Sequence, residues 1–118
     1  MDLTATIFTA IINDADLSAT IAEYIIDYAI TKINRISRED LPTMSGTAGS
    51  KTVSLTTQQY SAVLDVAEVI YNDVYKGRET TTVQGLSVGR PNLEGNPTVQ
   101  AAIEKAARQL AEFDVDYG

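Results

Sequence analysis

The chain contains no cysteine and no histidine in 118 residues. Without cysteine there are no disulfides, no thiolate chemistry and no cysteine-based metal sites. Without histidine the chain lacks the usual general base and the commonest metal ligand near neutral pH. Positive charge is scarce as well: nine Lys and Arg stand against sixteen Asp and Glu, a net charge of −7. A protein that grips DNA by its phosphates shows the opposite balance. Such acidity suits solubility, a basic partner, or a surface past which nucleic acid slides without sticking. No run approaches the roughly 18 apolar residues of a membrane span. In the opening "MDLTATIFTA", Asp2 stands where an export signal carries basic residues. These absences predict a non-enzymatic protein with no cofactor, no metal, no membrane segment and no export signal.

What is present reads as one folded domain over residues 1–118, with 44% hydrophobic and 21% charged residues. Four segments carry helical periodicity. The first, about 3–13, places Leu3, Ile7, Phe8 and Ile11 at helical spacing behind Asp2 as N-cap, and "NDAD" breaks it. The second, about 17–36, has a stripe of Ile21, Ile25, Tyr28, Ala29, Ile33 and Ile36. Ile26 and Ile30 widen that stripe, so cover on more than one side is expected. The third, about 57–76, opens on Thr56 and Gln59 spaced as a capping box and stops at Lys76-Gly77. The fourth, about 97–113, opens on Asn96-Pro97 and turns Val99, Ala102, Ile103, Ala106, Leu110 and Phe113 to one face. The expected fold is therefore mainly α, a small bundle of about four helices.

Two long Thr/Ser/Gly-rich stretches, about 37–55 and 78–95, interrupt the bundle. Each holds an alternating run, "KTVSL" and "TTVQGLSVG". The two runs are expected to pair as a minor β element, unless the second folds on itself as a hairpin around Gln84-Gly85. Loops this long are uncommon in a compact domain and are usually functional or disordered. A helical core has no need of them, so the sequence points to a use outside the core.

Local motifs for chemistry fail on inspection. "GTAGSKT", residues 46–52, has the vocabulary of a phosphate-binding loop. Only two residues separate Gly46 from Gly49, however, and Ser50 intrudes before Lys51. An alternating, strand-like run follows this loop where a helix is required. The expectation is a flexible segment. "NDADLS" places Asp14, Asp16 and Ser18 as the first EF-hand ligands, but Ala19 replaces the required glycine and Ile25 the bidentate glutamate. A capped helix–helix turn fits better. The helical acid pairs Glu23/Asp27 and Asp65/Glu68 read as solvated faces. Tyr28, Tyr60 and Tyr71 fall on apolar stripes and belong to the core, whereas Tyr75 and Tyr117 are better interface candidates. Lys76, Arg78, Glu79 and Arg90 gather around the second loop. They serve either as helix-end electrostatics or as a basic edge meeting an acidic edge of the next copy, head to tail.

The stretch "YSAVLDVAEVIYNDVYKGRETTTVQG" resembles the central helix of head–tail connector (adaptor) proteins of tailed bacteriophages and related viruses. In that family an Ala/Val/Leu-rich helix ends in a Tyr-x-x-x-Arg-Glu-like stretch, then a Val/Gly-rich segment and a proline. Tyr75, Arg78, Glu79, Val83, Gly85 and Pro91 stand here in that order. The resemblance spans about 17–91, is a matter of layout and weak motif, and carries no catalytic signature. It implies a virion subunit made in the host cytoplasm and built into the neck. There it forms a ring, of twelve copies by the family's habit, beneath the portal protein. The ring extends the channel through which double-stranded DNA passes without sequence-specific binding, and it docks a stopper or tail-completion protein. Under that implication Tyr75, Lys76, Arg78, Glu79, Arg90 and Tyr117 belong to an inter-subunit or portal interface. Gly46, Gly49, Ser50 and Lys51 belong to a channel-side or inter-subunit loop. The other readings open at this point are another ring-forming neck or tail-completion protein, and a non-viral helical interaction module.

Overall fold

The computed structural model describes residues 1–37, 40–75, 93 and 95–116 of the chain. In order, the elements are β1 (Asp2–Thr4), α1 (Ala5–Ile12), α2 (Ala19–Ser37), β2 (Thr52–Ser54), α3 (Thr57–Ile70) with a π-helical turn at Tyr71–Tyr75, and α4 (Pro97–Asp116). The protein is mainly α with a small antiparallel sheet, the fold class expected from the sequence.

Helices α2, α3 and α4 pack pairwise on one another, and α1 lies against α2. Ile25, Ile26, Ile30 and Ile33 of α2 are fully buried with Val63, Val66 and Ile70 of α3 and with Val99 and Ile103 of α4. The widened stripe on α2 is thus covered from several sides, as its Ile26 and Ile30 predicted. Ile36 departs from that stripe and is 52% exposed. Phe113 lies outside the described side chains.

Local end signals were legible where they are local. Thr56 Oγ1 accepts from the Gln59 N–H, and the Gln59 side chain accepts from the Thr56 N–H, closing the capping box. Asn96 Oδ1 accepts from the Thr98 and Val99 N–H groups at the head of α4. Thr56→Ala is expected to lower stability by about 1 kcal/mol. The check is a urea titration, in which the midpoint falls and the slope stays unchanged.

The N-terminal expectation is corrected. Asp2 caps nothing; Thr4 is the cap, its hydroxyl accepting from the Ile7 N–H, and residues 2–4 are strand. The run at residues 52–54 pairs with this strand, in the register Asp2↔Ser54, Leu3↔Val53 and Thr4↔Thr52. The proposed partner run within 78–95 lies outside the described residues. Leu3 explains the mistake: it is apolar at helical distance from Ile7, yet the pairing buries it completely from an extended backbone.

The turn "NDAD" breaks α1 by adopting the left-handed conformation at Asn13, φ 59°. Asn tolerates that conformation better than most residues. Asp14 then accepts from the Asp16 N–H and from the Tyr71 hydroxyl, which fastens the turn to the end of α3. Its carboxylate is engaged inside the fold. Ser18 caps α2, accepting from the Ile21 N–H.

Candidate functional site

Residues 41–51, within the stretch expected to be a flexible loop, are hydrogen-bonded to one face of α2. One face of α2 carries Glu23, Asp27 and Asn34, which fall in line over about three helical turns. Each side chain binds the backbone of the segment laid beside it. The Asn34 amide closes on Leu41 from both ends, accepting from its N–H at 2.9 Å and donating to its carbonyl at 3.0 Å. Asp27 Oδ1 accepts from the Met44 N–H at 3.2 Å. Glu23 spends both oxygens, Oε1 on the Gly49 N–H at 2.9 Å and Oε2 on the Lys51 N–H at 3.0 Å.

Glu23 is the one charged side chain in the core among the described residues, 3% exposed between the buried Ala22 and Ile26. A buried carboxylate is costly unless its lone pairs are satisfied. Here two backbone donors satisfy them, and charge-assisted bonds of this kind are the strong ones. The reading of Glu23 and Asp27 as a solvated acid face is therefore overturned. For Asp65 and Glu68 it suits what is seen, since Asp65 is exposed and Glu68 half-buried beside an open groove of about 360 Å³ between α3 and α4.

The glycines of "GTAGSKT" are required by the same geometry. Gly46 sits at φ 119° and Gly49 at φ 91°, backbone that L side chains rarely adopt. Around Gly49 the Ser50 N–H closes a turn onto the Thr47 carbonyl at 2.8 Å. Ser45 and Thr52 exchange both backbone hydrogen bonds at 3.0 Å and so close the base of the loop. N–H groups of the loop do close on a carboxylate, the chain's own Glu23, a use the sequence reading did not include.

Of the residues singled out in the sequence, Gly46, Gly49, Ser50 and Lys51 are brought together in this loop. Residues 46–50 are exposed and Lys51 is half-buried. Tyr75 is corrected from interface candidate to core residue, 4% exposed on the π-helical turn beside Val74. Lys76, Arg78, Glu79, Arg90 and Tyr117 lie outside the described residues, as do Val83, Gly85 and Pro91 of the connector-like stretch.

Among the described residues no group of His, Cys, Asp or Glu is arranged to hold a metal ion. No described helix is long and apolar enough to cross a membrane. A second open groove, about 470 Å³, runs between the end of α2 and α4 past Ile36, Ala107 and Ala111. Neither groove encloses a small molecule in the way a typical ligand cavity does. What the arrangement offers is an uncharged loop tip held in fixed register on a helical body. Set against known protein families, curated proteins and solved structures, the chain matches none.

Proposed function

We propose that this chain is a structural subunit of a viral neck, a head–tail connector that assembles as a ring beneath the portal and lines the path of DNA. The observation that carries this reading is the loop at 45–51. It is anchored on the body by Glu23, and its tip, Gly46-Thr47-Ala48-Gly49-Ser50, is exposed and bears no charged side chain. On a subunit of net charge −7, an uncharged, positioned projection suits a wall past which phosphates slide without being held. The connector-like order of residues from Tyr75 to Pro91, and the layout of two helices, a loop, a strand and a long central helix, support the same reading.

Native mass spectrometry across a concentration series, alone and with the candidate portal protein, tests it. The expected result is a closed oligomer near twelve copies, free or on the portal. A monomer or dimer that also ignores the portal would overturn it and leave a helical interaction module in its place.

A further inference from the structure

We propose that residues 45–51 form a strap that opens and closes as a unit on an otherwise folded body, with the Glu23 carboxylate as its latch. The inference stands on the geometry of the loop and does not depend on the connector reading.

Two apolar pins bound the strap. Met44 is 7% exposed and Val53 3% exposed, and both belong to the hydrophobic core. Between these pins no apolar side chain is buried: residues 45–50 and Thr52 are exposed and Lys51 is half-buried. The strap therefore draws no buried apolar side chain of its own out of the core when it lifts, and burial of such side chains is the main force resisting the opening of a folded segment. The fasteners are polar. Glu23 holds the Gly49 and Lys51 N–H groups, and the Ser45–Thr52 pair closes the base. The Ser50-to-Thr47 bond lies within the strap and travels with it.

The opposing terms favour release. Gly46 and Gly49 regain backbone freedom when the strap leaves the body, and glycine loses more of that freedom on ordering than any other residue. Both Glu23 oxygens are bonded to strap amides, so on opening water is to take the place of those two donors. The cost of opening is thus confined to a few hydrogen bonds, while α2, α3 and α4 keep their packing.

Native-state hydrogen exchange tests this on the intact chain. In the wild type, the Gly49 and Lys51 amides should exchange through one shared opening whose rate hardly changes with low urea. The Val63 and Ile103 amides should exchange far more slowly and respond steeply to urea. In Glu23→Ala, Gly49 and Lys51 should come within about tenfold of unprotected rates while Val63 and Ile103 remain protected. Exchange of Gly49 and Lys51 with the urea response of Val63 and Ile103 would overturn the proposal. So would retained protection of Gly49 and Lys51 in Glu23→Ala. The wild-type measurement decides alone should the variant fail to fold.

Discussion

Phe8→Ala is expected to lower the stability of the domain by about 3–5 kcal/mol, the usual cost of truncating a buried phenylalanine. Phe8 is fully buried and is the only large side chain of α1 that is; Ile7 and Ile12 are partly buried and Ile11 is 42% exposed. The helix spans eight residues, Ala5–Ile12, too short to persist in water without tertiary contacts. Removing the ring deletes the principal anchor of α1, and with it the support for β1, which runs straight into the helix at Thr4. Thermal unfolding should fall by roughly 10–20 °C for a domain of this size. Ile11→Ala, one turn away on the exposed side, should leave the transition almost where it is. Equal effects at the two positions would show that α1 is not held by Phe8.

Glu23→Ala is expected to cost about 2–3 kcal/mol, less than two full charge-assisted hydrogen bonds at about 1.5–3 kcal/mol each. The reason is that the released amides of Gly49 and Lys51 regain water when the loop lifts, so the loss cannot exceed the free energy that holds the loop down. Glu23→Asp should fail to restore stability, because the shortened side chain cannot reach both N–H groups. Asp65→Ala, an exposed acid on α3, serves as the control and should leave the urea midpoint unchanged. Were Glu23→Ala equally silent, the carboxylate would not be contributing to the fold.

These two residues also mark the boundary of what could be read without coordinates. The helices were legible because their signals are local: Thr56 and Gln59 find each other three residues apart, and Asn96-Pro97 announces α4 within one turn. The role of Glu23 was not legible, because its partners are main-chain N–H groups 26 and 28 residues away, and a sequence displays side chains only. An acid pair at i and i+4 looks the same whether it faces water or a strap. The one signal that could have distinguished them is position: Glu23 interrupts a face otherwise made of Ala22, Ile26 and Ile30. For the same reason Leu3 was assigned to a helix; its strand partner, Val53, lies far along the chain. Tyr75 was misjudged because the end of α3 widens into a π-helical turn that directs it inward with Tyr71 and Val74.

The pairing of β1 with β2 joins Met1 to Leu55 across 54 positions of chain. During synthesis the first strand is therefore made long before its complement exists. At ribosomal rates of about 5–20 residues per second, Leu3 waits on the order of 3–10 s for residues 52–54 to be added. Over that interval α1 has neither its sheet nor the finished core to lean on, and Phe8 is an uncovered aromatic on a nascent chain. Residues 2–4 are thus translated well before the strand that pairs with them, and α1, into which they lead, completes its contacts late.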